Sequence, residues 1–439
     1  MVRIVILSCF TALIGILLYF SYLHAPSTLT AGKNNQHSTR SFLILLAIGF
    51  LFKCIGAAVY PGHETDMSCF NAWSAELFQN GFAAFYTADS FTDYPPGYMY
   101  ILYVLGFLRS FLPLGDTGTT LLLKLPAIIC DLGAAYLVWR LAKVYLPERS
   151  VLLITALSIF NPAVFVDSSL WGQVDSVFTL CIFLFVMLIA NRRMIPAYFV
   201  FALSILMKPQ AFMFAPLLLY GIIETVFLKR FDVRVFLKNL LFGIGAIGMM
   251  VLLSLPFGLS HVFEQYTQTL ASYPFATVNA FNLWGALGMN WKDLTPVISI
   301  LGYTFLGLIV IASAYLFFRS KKPSKYYLCA AFLCFATYML STKMHDRYMF
   351  SAMILLLAVY ITEPNWRHFC LYAVSSGMQF FIYAFVLFIY QSDNSKYFQH
   401  PIIMVASIVN IGVFLFFLYN VGWSLKDHSI QTRSSYEAE

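Results

Sequence analysis

Long apolar blocks, separated by short polar stretches, recur along the chain and restrict the possible folds more than any other feature. A helix needs about 20 apolar residues to cross a bilayer. Blocks near that length lie at 2–23, 41–60, 119–139, 151–166, 177–190, 235–255, 294–317, 326–341, 348–361, 369–389 and 401–423. Two further runs, 98–112 and 195–223, are shorter or interrupted. We therefore predict an all-α polytopic membrane protein with about a dozen spans, because each helix satisfies its own backbone in lipid.

The amino-acid composition agrees with this prediction and excludes other classes of protein. Hydrophobic residues make up 60% of the 439 positions and charged residues only 11%, whereas roughly 25% of the residues of a soluble domain are charged. A soluble enzyme, a disordered chain and a nucleic-acid-binding protein are therefore excluded. The lipid bilayer is the first partner that the sequence implies.

Basic residues indicate how the loops are oriented, because Lys and Arg are enriched on the cytoplasmic side of a membrane. The loops left for the opposite side are 61–97, 167–176, 208–211, 256–293, 342–347 and 390–400. The loop 61–97 contains five acids and neither Lys nor Arg. We therefore predict a multi-pass protein of the cell membrane with this loop on the extracytoplasmic face. The parity of the crossings further predicts that the run 98–112 is re-entrant or interfacial.

Part of the loop 61–97 shows helical periodicity. Phe70, Trp73, Leu77 and Phe78 recur at a spacing of three to four residues, with polar residues on the other side. This pattern predicts a short amphipathic helix that lies in the membrane interface. The first extracytoplasmic loop is therefore predicted to be structured.

Acids in this loop are the first candidates for chemistry, since a charge near a membrane is costly to maintain. Asp66, with Glu64 beside it, lies at the start of the predicted helix, where a carboxylate can accept a proton from a hydroxyl nucleophile. The alternative is that Asp66 only caps that helix. Asp93 and Tyr94 precede the rigid pair Pro95-Pro96, which fixes the direction of Asp93. A turn at the start of a helix would account for the prolines alone.

A second outer loop carries Trp171, Gln173 and Asp175. Sugar rings stack on indole, and sugar hydroxyls pair with amide and carboxylate groups. These residue types therefore suit the binding of a sugar. The alternative is a tryptophan at the membrane interface, followed by an aspartate that caps the next helix.

Cationic residues occur in two other outer segments. Lys208 and Gln210 flank a proline and interrupt an apolar stretch, which predicts a broken hairpin with Lys208 at a cavity suited to phosphate. Snorkelling of Lys208 to the surface is the alternative. His345 and Arg347 lie near Lys343 and form a compact cationic cluster suited to a phosphate oxygen. A plain polar connection is the alternative there.

In their order along the chain, these motifs resemble the GT-C-fold glycosyltransferases that take a sugar from a polyprenyl phosphate. The resemblance is to bacterial membrane proteins related to the mannosyltransferase of GPI-anchor assembly and to the glucosyltransferases of the lipid-linked oligosaccharide pathway. The motifs that carry it are Glu64-x-Asp66, Asp93-Tyr94-Pro95-Pro96, Lys124-Leu125-Pro126 with Asp131, Trp171-Gly172-Gln173-x-Asp175, Lys208-Pro209-Gln210 and His345-x-Arg347-Tyr348.

The resemblance implies a GT-C-type helical bundle of about 12–14 spans with a structured first extracytoplasmic loop. It implies that Asp66 is the general base for transfer of a hexose, with inversion, from a polyprenyl-phosphate sugar to a glycopolymer, glycolipid or protein. The other candidates then have two roles. Glu64, Asp93, Tyr94, Trp171, Gln173 and Asp175 would bind the acceptor or donor sugar, and Lys208, Gln210, His345 and Arg347 would bind the donor phosphate.

We expect no cofactor and no metal, because side-chain cations can neutralise a single leaving phosphate. His63 and Glu64 also lack the spacing of the His-Glu-x-x-His metal motif. The resemblance further implies three parts of the chain. These are an N-terminal catalytic transmembrane module 1–255, a variable C-terminal transmembrane module 256–423 and a cytoplasmic tail 424–439. Because the tail is polar, we expect it to have no structure of its own.

A membrane transporter or flippase for a lipid-linked or polar solute is the alternative function. Broken helices and buried charges, as near 195–223, also mark the substrate pathways of transporters. The sequence shows no obvious internal repeat, and its ionisable residues collect on one side of the membrane. These two features favour the enzyme.

Overall fold

The structure is a computed structural model that describes residues 2–20, 35–87, 91–228, 231–271, 274–390 and 400–436. Helices form nearly all the regular structure in these ranges, and the two strands have two residues each. Eight of the described helices are long and apolar enough to cross a bilayer, and five further apolar helices are shorter. The prediction of an all-α polytopic membrane protein is confirmed.

The helices follow one another with short connections. In chain order they are α1 (Val2–Leu18), α2 (Asn35–Val59), α3 (Glu64–Asn80), α4 (Phe82–Phe85), α5 (Pro96–Phe111), α6 (Asp116–Tyr145), α7 (Glu148–Ile159), α8 (Pro162–Phe165), α9 (Asp175–Ala190), α10 (Met194–Met207), α11 (Ala215–Ile222), α12 (Val233–Ser254), α13 (Leu259–Ala271), α14 (Leu283–Ala286), α15 (Pro296–Arg319), α16 (Lys325–Leu340), α17 (Phe350–Thr362), α18 (Trp366–Phe385) and α19 (Pro401–Tyr436). Turns of π-helix lie at Val166–Trp171, Ile223–Phe227 and Val386–Tyr390, and 3₁₀ turns lie at Pro209–Phe214 and Leu255–Phe257. Strand β1 (Thr277–Val278) pairs in parallel with β2 (Met344–His345).

Contacts within the chain define two compact units. The N-terminal unit comprises Thr39–Leu137 and Val164–Pro274, and the C-terminal unit comprises Met1–Ser38, Val138–Ala163 and Phe275–Glu439. These bounds differ from the predicted division at 255/256. One reason is that α13 belongs to the N-terminal unit, where the Tyr266 hydroxyl donates to the Ile205 carbonyl. The predicted division into functional modules stays a prediction.

The amphipathic helix predicted within 61–97 is confirmed as α3. Its apolar face buries Phe70, Trp73 and Leu77, which share one hydrophobic core with Tyr98 and Leu102 of α5. The sequence predicts that this apolar face contacts the membrane interface. In the structure, protein side chains cover the face instead. The same helical periodicity of apolar residues is compatible with packing on another helix.

The run 98–112 forms most of α5, which begins at Pro96. Proline suits the first position of a helix, where no N–H partner is needed. α5 is not one of the eight long apolar helices. Its re-entrant or interfacial position stays a prediction.

The prediction that the tail 424–439 has no structure of its own is wrong for residues 424–436. α19 continues without interruption through these positions to Tyr436. The stretch contains neither Gly nor Pro, the residues that most oppose a helix. Residues 437–439 lie outside the described residues, as do 21–23 of the first apolar run and 391–399 of the last outer loop.

Candidate functional site

The candidate site lies in the N-terminal unit, where α3 begins. Gly62 has a φ of +105°, and a Cβ at this position would lie 2.8 Å from the Trp171 carbonyl oxygen. Only glycine fits this turn. The helix α3 begins directly after it, with His63 as the N-cap and Asp66 as the third residue of the helix. The side chains of His63 and Asp66 are 20% and 22% exposed. Acids in a first turn also complement the helix dipole.

The π-helical turn Val166–Trp171 forms the second part of the site. The turn is followed by Gly172, which has a φ of +89°. The Trp171 indole N–H donates to Asp66 Oδ2 at 2.6 Å. The backbone N–H of His63 donates to the Trp171 carbonyl oxygen at 2.9 Å. Hydrogen bonds from both side chain and backbone therefore join two segments that are far apart in sequence.

The charges of Asp93 and Asp66 act on the same side chain of α3. Burial raises the pKa of the Cys69 thiol in α3, and the negative charges of Asp66 and Asp93 raise that pKa further. The charges of both acids therefore act on the same thiol. Glu64 is exposed in the first turn of α3, and Asp93 is half-buried. Asp66 and Asp93, two of the acids that the sequence predicts for this loop, thus act electrostatically on one side chain.

Four other predicted residues form a buried polar network in the same unit. The Tyr94 hydroxyl donates to Gln173 Oε1 at 3.2 Å. Lys208 forms an ion pair with Asp175, and its Nζ atom lies 5.5 Å from the centre of the Tyr94 ring. Gln173 Nε2 is buried and has no hydrogen-bond partner among the described residues. The network connects the loop 61–97 with the segments that begin α9 and end α10.

The geometry does not fit two of the predicted roles, the stacking of a sugar on Trp171 and the binding of phosphate by Lys208. Trp171 is 1% exposed, and the His63 ring stacks on it with centroids 5.0 Å apart. A sugar ring therefore cannot stack on the indole in this conformation, and Trp171 serves as a donor to Asp66 instead. Lys208 is buried and its charge is paired with Asp175, so that it presents no accessible cation to a donor phosphate. Tyr94 and Gln173 are also buried and bound to each other.

The segment around Gln210 has the predicted interruption. α10 ends at Met207, Lys208 has extended backbone angles, and the 3₁₀ turn Pro209–Phe214 follows. Gln210 is half-buried, and its Oε1 atom has no hydrogen-bond partner among the residues that the structure describes. Its role toward phosphate stays a prediction.

Lys124 is an organising residue to which the sequence motif assigned no role. Its Nζ atom donates to the carbonyl oxygens of Ala57, Tyr60, Ser169 and Leu170 at 2.6–3.3 Å. The first two carbonyls lie at the end of α2, and the other two lie in the π-helical turn. One ammonium group therefore ties together the two segments that form the site. The position of Lys124 within an apolar run indicated that it needs polar partners. The sequence could not show that these partners are backbone carbonyls.

A buried ion pair inside two apolar helices was also missed. Lys53 Nζ lies 2.8 Å from Asp131 Oδ2, and the side chains are 0% and 4% exposed. Asp131 Oδ1 accepts a hydrogen bond from the Ser176 hydroxyl at 2.5 Å. A charge in an apolar helix needs a partner. Lys53 lies within the apolar run 41–60, and this position was the sequence feature that indicated a buried acidic partner.

His345 and Arg347 belong to the C-terminal unit. His345 is the last residue of β2 and is buried, with its ring 5.0 Å from that of Tyr348. Arg347 is half-buried, and its Nε atom lies 4.0 Å from Asp346 Oδ1. The positive charge of Arg347 is thus partly compensated by the neighbouring Asp346. Binding of a phosphate by His345 and Arg347 stays a prediction.

The loop 256–293, in which the sequence suggested no specific site, supplies side chains that shape this part of the C-terminal unit. Asn279 forms a bridge with His345. Its Oδ1 atom accepts hydrogen bonds from Trp291 Nε1 at 2.9 Å and from Asn290 Nδ2 at 3.3 Å. The recurrence of Asn and Trp between 279 and 291 was the available signal.

No protein-family model matches the chain, and no curated protein matches it. In the part of the chain that the structure describes, no group of three His, Cys, Asp or Glu side chains is placed to hold a metal ion. The fold defines the class as a polytopic all-α membrane protein. The chemistry has to be inferred from the site itself.

Proposed function

We propose that this chain is an integral membrane glycosyltransferase of the GT-C type, which moves a hexose from a polyprenyl-phosphate sugar to an extracytoplasmic acceptor. The observation that carries the proposal is the setting of Asp66. Its side chain is 22% exposed and lies in the first turn of α3, and its Oδ2 atom receives the Trp171 indole N–H. A general base needs a carboxylate that is both accessible to substrate and fixed in direction.

In the proposed reaction, Asp66 accepts the proton of an acceptor hydroxyl while the hydroxyl oxygen attacks the anomeric carbon. The new C–O bond forms opposite the bond that breaks, so that the anomeric configuration is inverted. The electron pair of the broken bond leaves with the phosphate oxygen of polyprenyl phosphate. The proton on Asp66 is then released to solvent, and no redox partner is required.

Glu64 and Asp93 are the groups that we propose to bind hydroxyls of the acceptor or of the donor sugar. Carboxylates accept hydrogen bonds from hydroxyl groups. Glu64 is exposed in the same turn of α3 as Asp66, and Asp93 is half-buried, with a charge that acts on the same thiol as that of Asp66. We propose that the buried network of Tyr94, Gln173 and Asp175 supports them. The absence of Lys and Arg from the loop 61–97 supports an extracytoplasmic position of the site in the cell membrane.

The test is transfer of radiolabelled hexose from polyprenyl-phosphate donors in membranes that contain the wild type or D66N. The substitution keeps the size of the side chain and removes the base. We expect transfer by the wild type and a loss on the order of 10²–10⁴-fold in D66N. E76Q, which neutralises another acid of α3, is the matched control and should retain transfer. Transfer by D66N at the wild-type rate would refute the role of Asp66.

A transporter or flippase is the second candidate, and one observation favours it. The Lys53–Asp131 pair lies inside apolar helices, and buried charges in spans commonly mark substrate pathways. The test is movement of a fluorescent lipid-linked sugar across proteoliposomes that contain the purified protein. Movement without any sugar transfer would replace the enzyme by the transporter.

A further inference from the structure

Helix α13 begins where a membrane-crossing segment ends. The apolar segment Val233–Phe257, which contains α12, is long enough to cross a bilayer, and α13 starts at Leu259. Gly258 alone lies between them, and its φ of +79° lets the chain turn sharply. α13 therefore starts at the level at which α12 leaves the apolar part of the bilayer.

The face of α13 that packs on the protein fixes the rotation of the helix about its axis. Val262 is buried in the hydrophobic core that α3 and α5 share. The Tyr266 hydroxyl donates to the Ile205 carbonyl oxygen at 3.1 Å. Gln265 Nε2 donates to the Thr92 carbonyl oxygen, and Gln265 Oε1 accepts from the Thr92 hydroxyl at 3.1 Å. These contacts determine in which direction the other side chains of α13 point.

A second side of α13 is apolar and exposed. Leu259 and Phe263 are 44% and 73% exposed, and residues four positions apart lie on the same side of a helix. Leu252, near the end of α12, and Leu255, just after it, are 64% and 51% exposed. Exposed apolar residues therefore continue along the chain from the end of α12 into α13.

A third side of α13 is polar and exposed. Glu264 and Gln268 lie one turn apart, and Gln268 Nε2 donates to Glu264 Oε1 at 3.0 Å. Adjacent residues of a helix point about 100° apart, so that Phe263 and Glu264 face different surroundings. A helix that has one apolar and one polar side suits the boundary between lipid and water.

The size and charge of the apolar side favour lipid over a protein partner. A stable protein interface buries about 800 Å² on each partner, and two side chains supply only a fraction of that area. Insertion into lipid requires apolar surface but no complementary shape. α13 also contains neither Lys nor Arg, so that we expect no recognition of an anionic headgroup.

We propose that α13 lies in the membrane interface at the end of α12, with Leu259 and Phe263 inserted among the lipid acyl chains. Glu264 then faces water. The partner is the apolar part of the bilayer, whatever the charge of its headgroups. Thr92 directly precedes Asp93, so that Gln265 attaches the segment that carries Asp93 to a helix at the lipid surface.

Photocrosslinking at single positions tests this contact in the full-length protein. The photoreactive residue p-benzoylphenylalanine is incorporated in place of Phe263 in one variant and in place of Glu264 in its matched control. Both variants are reconstituted into nanodiscs of phosphatidylcholine and irradiated. Mass spectrometry then measures the fraction of the α13 peptide that carries a lipid adduct. We expect this fraction to be at least about tenfold higher at position 263 than at position 264.

Equal fractions at positions 263 and 264 would overturn the proposal. A label at position 263 that reacts with a second copy of this chain or with another protein, in place of lipid, would also overturn it. An adduct that requires anionic phosphatidylglycerol would do the same, because a headgroup would then be recognised. If the variant at Phe263 does not insert into the membrane, Leu259 and Ser260 give the same comparison. The measurement detects lipid contact, so that an active D66N would refute the proposed function and leave this result unchanged.

Discussion

Removal of one member of the buried Lys53–Asp131 pair is expected to destabilise the protein far more than removal of both. The side chains are 0% and 4% exposed, and their charged atoms lie 2.8 Å apart. In K53M the carboxylate stays buried without its cation, and in D131L the ammonium stays buried without its anion. Each single substitution should therefore lower the free energy of unfolding by about 3–5 kcal/mol.

The double variant K53M/D131L removes both charges and leaves an apolar contact between α2 and α6. Its remaining cost comes from the Ser176 hydroxyl, which loses its bond to Asp131 Oδ1. Such a lost hydrogen bond costs about 1 kcal/mol. We therefore expect the free energy of unfolding of the double variant to be about 1 kcal/mol lower than that of the wild type. It should be at least about 2 kcal/mol higher than that of either single variant.

The free energy of unfolding can be measured by SDS titration in mixed micelles, with far-UV circular dichroism as the signal. K322M is the matched control, because the Lys322–Glu363 pair is partly exposed, with side chains at 20% and 17%. The Glu363 carboxylate that remains in K322M is partly accessible to water and still accepts a hydrogen bond from Ser324, so that the loss in K322M should be smaller than that in K53M. Equal losses in K53M and K322M, or a double variant whose loss equals the sum of the two single losses, would refute this reasoning.

Three further predictions concern the site. K124M should lose about 2–6 kcal/mol in the same titration, because two of its four carbonyl partners are buried and each unsatisfied carbonyl costs about 1–3 kcal/mol. G172A should lower the unfolding temperature in a thermal-shift assay, because φ is +89° and the new Cβ would lie 2.4 Å from the Met67 sulfur; an unchanged temperature would contradict the structure. In D66N the pKa of Cys69 should fall, because one of the two acids that raise it is gone. The thiolate fraction at a fixed alkaline pH then rises, and iodoacetamide should label Cys69 faster by mass spectrometry; an unchanged rate would argue against the proximity of Asp66.

Local features were predictable where a local rule governs them. The spacing of Phe70, Trp73 and Leu77 is enough to predict α3. The combination of a proline and Lys208 is enough to predict the end of α10. The partner of an apolar face is not encoded locally, and for this reason the sequence could not show that α3 packs on α5.

The residues of the site were easier to predict than their roles. The sequence identified both Asp66 and Trp171, but the hydrogen bond between them depends on the tertiary fold. The ion pair between Lys208 and Asp175 is hidden for the same reason, and it removes the accessible cation that residue type alone predicts. Lys124 is an extreme case, since its partners are backbone carbonyls, which every residue possesses.

The discontinuous chain path of the N-terminal unit has a consequence for how the protein is made. Asp66 leaves the ribosome 105 residues before Trp171, which corresponds to about 5–20 s at about 5–20 residues per second. Lys124 is synthesised between them and can reach only its acceptors at the end of α2 until the turn Val166–Trp171 follows. For several seconds the nascent chain therefore contains the acidic loop without Trp171 and without the carbonyl groups of the turn Val166–Trp171, which orient that loop. Assembly of the site must wait for insertion of the second stretch.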